Sequence, residues 1–496
     1  MCRASRTVVR IAALIGLSAC SFAPSAVPPA VPEPPRYGAD ITPERTVAAQ
    51  GAAQHFIRQA QPVPAWWRLY QNGTLDALID EGLRNSPTLE AADRRLAAAR
   101  DQLRASVGSA WLPSLDMVGA ASRAAIPGIV EGGPDAYRYD VFAGRLEASY
   151  NFDLFGATRY ANAALAARVD LQAFQFDAAR RALAANIVTT VIAAAALREQ
   201  IGATERLVAL ADELASEAQQ REQAGALSLA DVITARQNAS TLAASLPALR
   251  QQHATAQHAL AALLGRTPDH APPDIGLADL HLPEQIPVVI PSSLLKSRPD
   301  IQAAEAALKA AASDVGAATA RFFPDISLSA AFGRGGLSVL PALSGAGAIW
   351  SASAWVSQPL FHGGALVAQR KSALHTYEAA AADYRGTVLS AFADVSDALA
   401  ALVHDAQALD AAHAAASDAQ ALAELTHARL SAGAVPASAA LLGEQRWMTA
   451  KLDEIRYVSA RLTDTAALFQ AMGSPADIDA PPLAPAAQAS VVNASP

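Results

Sequence analysis

The chain has 496 residues, 52% of them hydrophobic but only 6% aromatic, with a formal charge of −8. That length suits two to four domains, and the alanine behind the hydrophobic fraction favours closely packed helices. The negative charge leaves no basic stripe for phosphates, which argues against a nucleic-acid partner, and Cys2 and Cys20, the only cysteines, exclude a disulfide framework or a cysteine metal site.

Arg3, Arg6 and Arg10 precede an apolar run from Ile11 to Leu17, and Leu17-Ser18-Ala19-Cys20 follows. A basic start, a short apolar core and small residues before a cut read as a signal peptide over 1–19, too short to span a bilayer. Its loss takes the formal charge from −8 to −11, because three arginines leave with it. The Leu-Ser-Ala-Cys ending resembles the lipobox of bacterial lipoproteins. That resemblance implies acylation of Cys20, and Ser21 after it implies sorting to the outer membrane. Residues 20–64 then make a lipidated tether, flexible over the proline-rich stretch from Ser21 to Pro35.

Trp66-Trp67-Arg68-Leu69-Tyr70 leads into a short amphipathic helix carrying Leu75, Leu78, Ile79 and Leu83; the tryptophans read as packing. Ser86-Pro87 predicts the next helix start, with serine as cap and proline in the first turn, running to about Ala110. From Leu112 the period becomes two. The run from Val141 to Leu154 sets Phe142, Leu146, Ala148, Tyr150 and Phe152 against Arg145, Glu147, Ser149 and Asn151, a strand with one wet face. Its partner is Ser114 to Arg123, through a loop holding Pro127-Gly128 and Gly132-Gly133-Pro134.

Gly156 to Gly225 contains no proline and Gly202 as its one interior glycine. Leu197, Ile201, Thr204, Val208, Ala211, Ala215 and Ala218 step by three and four, with Leu207, Leu210 and Leu214 in a second stripe. Two stripes mean one helix with two packed seams, about 100 Å long. The pattern then repeats. Gly225 and Leu264-Gly265 recur 208 residues later as Gly433 and Met472-Gly473. Pro87-Thr88-Leu89 recurs as Pro299-Asp300-Ile301, and Trp111 to Leu115 as Phe322 to Ile326. The second half also alternates: Ile326, Leu328, Ala330 and Phe332 with serines, then Trp350, Ala352, Ala354 and Val356 with Ser351, Ser353 and Ser357.

The chain therefore divides into tandem repeats over 65–275 and 276–475, each helix, strand, strand, long helix, turn, helix, with a disordered Pro/Ala-rich tail over 476–496. The fold class is mainly α with a membrane β-hairpin portion. Four strands cannot seal a barrel in lipid, so several copies must pool them; two give eight and a filled interior, three give twelve and a pore.

Trp66-Trp67-Arg68, Arg298-Pro299-Asp300-Ile301, the two Pro-bearing corners and the two tips resemble the outer-membrane efflux protein family, the TolC family, in its OprM and NodT-type lipoprotein branch. The resemblance covers about 65 to 475. It implies a homotrimer with a twelve-stranded barrel and a long α-helical barrel below it, lipid-anchored in the outer membrane and extending into the periplasm. It also implies a periplasmic adaptor, or membrane fusion protein, and an inner-membrane transporter as partners. Carried over by position, the adaptor-binding and gating tips are Gly225, Ala226, Leu227 and Asp231, then Gly433, Ala434 and Val435. Ala439 stands where Asp231 would repeat, and no basic residue follows Gly433, so this chain departs from the tip latch of some relatives. Glu424, His427 and Arg429 are gate candidates within two turns of the second tip, and Arg145, Glu147, Ser149 and Asn151 the lumen-facing strand.

No enzymatic constellation emerges. His253 and His258 lie on different helix faces, so neither metal nor cofactor is expected. Gly333-Arg334-Gly335-Gly336 lacks the lysine of a phosphate loop and reads as an external barrel loop. The expected activity is passive export of small molecules; a protein-secretion duct and a non-conducting periplasmic scaffold share the same features.

Overall fold

The computed structural model describes residues 22–32, 34–38, 43–49, 53–59, 61–127, 136–340 and 347–476. The signal peptide, Cys20, the glycine-rich loop after Pro127 and the tail from 477 onward lie outside the described residues. Two helices of 67 residues each dominate, α3 over Ala157–Gln223 and α7 over Ala365–Ser431. At about 1.5 Å per residue each is a rod of about 100 Å. Both begin after a glycine with φ near +80°, Gly156 and Gly364. Asp153 adds a carboxylate cap to the first, accepting from the backbone N–H of Arg159 at 2.8 Å and of Thr158 at 3.2 Å.

Shorter helices flank the rods in end-to-end pairs. Helix α1 (Gly73–Asn85) enters α2 (Pro87–Trp111), and α4 (Leu229–Leu263) returns from the first tip. In the second half α5 (Pro291–Ser297) enters α6 (Pro299–Ala320), and α8 (Ala437–Ala471) returns. Rod α3 packs against α2 and α4 on one side and α6 and α8 on the other, which fills both of its seams. Among the described helices, rod α7 packs closely on α6 and α8 alone. The wall therefore reads α2/α4, α3, α6/α8, α7, with one flank of α7 uncovered. The most apolar 18-residue window of α3 is 56% buried, that of α7 only 39%.

Where two short helices meet, a glycine ends one of them. Gly265 and Gly473 take φ of +75° and +69°, and a Cβ on either would collide with the carbonyl of Asn85 or Ser297 at the end of the facing helix. Cations close these joints. Arg298 Nη1 donates to Ala471 O at 2.9 Å, Arg181 Nη1 donates to Ser297 O at 2.9 Å, and Arg266 grips Glu81 with two contacts of 2.6 Å.

The core sits thirty residues into each rod, around Ile187 and Val395. Trp66 and Trp67, both 2% exposed, fill it; Trp66 stacks on Phe469 at 5.3 Å, and Tyr70 donates to Leu462 O at 2.7 Å. Tryptophan as packing agrees with that placement. Ser86 departs from expectation: its hydroxyl meets Thr88 Oγ1 at 2.8 Å and caps no backbone amide, leaving the proline to start α2. A two-stranded parallel sheet, β1 (His55–Gln59) with β4 (Gln285–Val289), covers the core and escapes sequence reading, because 230 residues separate its strands.

That strand also changes the reading of the tether. Phe22 stacks on Phe323 at 4.7 Å and its N–H donates to Tyr160 Oη at 3.0 Å; Tyr377 Oη donates to Ser25 O at 2.9 Å and Tyr37 Oη to Val289 O at 2.6 Å. The described part of 22–58 is a strap laced across the bundle, not a free linker, because aromatic side chains along the helices supply both stacking surface and donors.

Four strands form the second sheet, in the order β2 (Ser114–Pro127), β3 (Ala136–Phe152), β5 (Asp325–Gly336), β6 (Ala348–Ser357), antiparallel throughout. The Gly333 to Gly336 run lies inside β5, not in a loop. Gly333 pairs with Arg145 and Ile349, and a Cβ there would strike the Gly144 carbonyl and Arg145, so glycine serves close strand approach.

Candidate functional site

The register puts apolar side chains in rows across all four strands. Met117, Leu146, Phe332 and Trp350 form one row, and Leu115, Ala148, Ala330 and Ala352 the next. Tyr150, Leu328 and Ala354, then Phe152, Ile326 and Val356, continue toward the helices. This face is bare: Met117 is 85% exposed, Trp350 77% and Phe332 66%. A contiguous exposed apolar sheet face marks a surface meant for lipid or a partner.

The opposite face is polar. Ser114, Ser149, Ser329 and Ser353 share a row, with Ser114 and Ser149 hydroxyls 2.8 Å apart. Asp116, Glu147 and Ser351 occupy another, and Asn151, Ser327 and Trp355 a third. Arg145, Glu147, Ser149 and Asn151 thus lie together on it, Arg145 Nε donating to Glu147. Sequence alternation missed Trp355, an exposed indole among serines. The outer edges of β2 and β6 have no strand partner among the described residues.

At the far ends of the rods the two tips share one backbone. Gly225 N–H donates to Glu222 O and Ala226 N–H to Arg221 O, at 2.8 and 2.7 Å; Gly433 and Ala434 repeat this onto Leu430 and Arg429, both at 2.8 Å. With φ of +75° and +72° at the glycines, these are paired Schellman stops. Gly225, Ala226, Gly433 and Ala434 are exposed, whereas Leu227 and Val435 are half-buried.

After the stops the tips diverge. Ser228 accepts from Asp231 N–H at 3.3 Å, and Asp231 Oδ2 accepts from Ser228 N–H at 3.1 Å and from its hydroxyl at 2.7 Å, a closed capping box. Those bonds hold the Asp231 carboxyl below its usual value. The second tip has Pro436 and Ala439 at these positions and no side-chain cap. Asp231 is therefore occupied locally as a helix cap.

The gate candidates separate. His427 Nε2 lies 3.6 Å from Glu444 Oε2, and Glu444 Oε1 accepts from Arg206 Nε and Nη2 at 2.8 and 2.5 Å, joining α7, α8 and α3. Glu424 accepts from Gln420 within its own helix at 2.9 Å. The Arg429 side chain has no polar partner among the described residues; its carbonyl serves the tip. Arg206 and Glu444 belong with His427, but 238 residues lie between them, so no spacing revealed the cluster.

A second polar cluster is buried beside the core. Arg461, 1% exposed, donates to Gln54 Oε1 at 3.2 Å and Thr46 Oγ1 at 3.1 Å, fixing the strap to α8, and burial pushes its guanidinium down to about 10. Asp405 on α7 shares a hydrogen bond with Asp464 on α8. Burial first, then that neighbour, pushes the Asp405 carboxyl up to about 7. His253, one of the two histidines on α4, lies 3.1 Å from Asp274 Oδ1.

Comparison with known proteins follows these surfaces. The model of the family described as "Outer membrane efflux protein" matches residues 78–266 and 290–474. The chain is 28% identical over 430 residues to the "Pyoverdine export outer membrane protein OpmQ" of Pseudomonas putida, covering 85% of this chain and 90% of that one. It is 30% identical over 413 residues to "Outer membrane protein OprJ" of Pseudomonas aeruginosa, covering 78% of each. The solved structure of the Campylobacter jejuni CmeC outer membrane channel superposes with a TM-score of 0.80 at 21% identity, over 93% of this chain and 96% of that one.

Proposed function

The chain belongs to the outer membrane efflux protein family, and from that premise we propose that three copies share one duct through the outer membrane. The protein is the outer-membrane channel of an efflux system, passing small molecules outward without chemistry of its own. The observation that carries assembly is the four-stranded sheet, bare and apolar on one face and, among the described residues, unpaired at both edges. β2 alone has 14 residues, half of whose backbone groups point outward. Leaving such an edge in lipid costs several kcal/mol per group, on the order of tens in total, so neighbouring copies must cover it. Two copies would supply eight strands, whose interior side chains fill; three supply twelve and an open bore.

The helices support the same count of partners. Rod α7 has one uncovered flank carrying Leu389, Leu422 and Leu425, each 46–58% exposed, while α2 and α4 have free outer faces. Placing α2/α4 of the next copy on α7 continues the wall and closes a helical tunnel in the periplasm. Cys20 is the acylation site, and the Phe22 stack beside the start of β5 suits an anchor held at the membrane surface. The tips, Gly225, Ala226, Leu227 and Asp231 with Gly433, Ala434 and Val435, meet a periplasmic adaptor coupled to an inner-membrane transporter. His427, with Arg206 and Glu444, holds neighbouring helices together above them.

Light scattering of the detergent-solubilised protein and planar-bilayer recording test this together. A trimeric mass with stepwise conductance is the expected result. A monomer, or a trimer that never conducts, would overturn the duct.

A further inference from the structure

Among the described residues Trp355 is the largest side chain on the polar face of the membrane sheet; Tyr139 and Ile349 share that face toward its far end. Trp355 stands opposite Ser327, with Ser353 and Ser357 two residues to either side and Asn151 one strand further on. It is 67% exposed, and among the described residues its ring has neither an aromatic nor a hydrogen-bonding partner. Trp350, five positions earlier in the same strand, lies on the other face in register with Phe332 and Leu146. An aromatic belt at a bilayer surface needs outward-pointing rings, which describes Trp350 and not Trp355. The indole also sits near the helical end of the sheet, two residues before β6 ends at Ser357.

Charge on that face is one-sided. The described strand residues contribute Asp116, Glu147 and Asp325 against Arg145 alone, and Arg145 is engaged by Glu147. A wall with surplus carboxylate gathers cations, and an indole face attracts them further while offering apolar surface.

We propose that Trp355 is a binding station for organic cations bearing an apolar or aromatic body, at the helical mouth of the barrel. In three copies the three indoles ring one level of the bore, so cargo leaving the tunnel meets them before the barrel proper. The station rests on the trimeric duct proposed above, because only closure makes the polar face a lumen. It selects by residence: bulky aromatic cations dwell there, and anions of the same size do not.

The test uses the full-length protein in planar bilayers with tetraphenylphosphonium added on the helical side. The wild type is expected to show concentration-dependent current block. Trp355→Ala should weaken that block about tenfold, about 1.4 kcal/mol, with unitary conductance kept or slightly raised; Trp355→Phe should retain most of it, and Trp350→Ala should block like wild type. Equal block in wild type and Trp355→Ala overturns the station. So does quenching of Trp355 fluorescence, in a Trp111→Phe, Trp350→Phe background, by brominated acyl chains, since that places the indole in lipid. Absence of current from wild type and variants alike refutes the duct itself, and the station with it.

Discussion

Replacing Leu146 by arginine tests which face of the sheet meets lipid. Leu146 is 48% exposed and lies in the row between Met117 and Phe332, well inside the apolar band. Arginine facing lipid near the middle of a barrel costs about 2–4 kcal/mol, so three copies would lose about 6–12 kcal/mol per assembly. That is comparable with the whole stability of an ordinary domain, about 5–15 kcal/mol. Ser149→Arg, three residues on and facing the other way, remains in water and should change stability by about 0.5 kcal/mol or less. Both variants would be assembled into lipid vesicles and scored as folded trimer by heat-modifiable mobility on gels. Leu146→Arg is expected to abolish the trimer band. Ser149→Arg should keep it while lowering conductance and shifting selectivity toward anions. If Leu146→Arg assembled like wild type, or Ser149→Arg failed to insert, the faces would have been read the wrong way round.

Three further outcomes follow from named contacts. Ser228→Ala opens the first capping box and should cost about 1 kcal/mol, seen as faster amide exchange over 229–232 with the second tip unaffected. Asp405 has a folded-state value raised above its unfolded one, so its contribution is complete below the ordinary carboxylate range and is lost as pH rises through about 7. The thermal midpoint should accordingly fall between about pH 4 and about pH 7, and Asp405→Asn should flatten that fall. Arg206→Ala removes the link to Glu444 and His427; an exposed pair of this kind is worth under about 1 kcal/mol, so melting should barely move while spontaneous opening rises by up to about fivefold.

What the sequence disclosed was whatever repeats locally. The rod read from Gly156 to Gly225 is the helix Ala157–Gln223, because a proline-free run with two apolar stripes has few alternatives. The tips were equally visible, since a Schellman glycine acts within six residues. Strand alternation gave the two faces but hid Trp355, a lone departure from a serine pattern. Contacts between distant segments stayed out of reach: His55 with Gln285, Arg206 with Glu444, and Arg461 with Thr46 and Gln54. The strap was misjudged for a related reason. Proline and small residues look unstructured in isolation, and the rings that hold them, Tyr160, Phe323 and Tyr377, lie more than a hundred residues away.

The order β2, β3, β5, β6 carries a consequence for how many subunits can join. Because each protomer brings an even set of strands alternating up and down, its last strand always runs opposite to the first strand of the next protomer. Hydrogen-bond parity is thus satisfied by rings of any size, and the sheet by itself cannot count. In the proposed duct the number of protomers then falls to the angle at which α7 receives its neighbour, so substitutions along that helical seam, far from the bilayer, are expected to change the diameter of the pore.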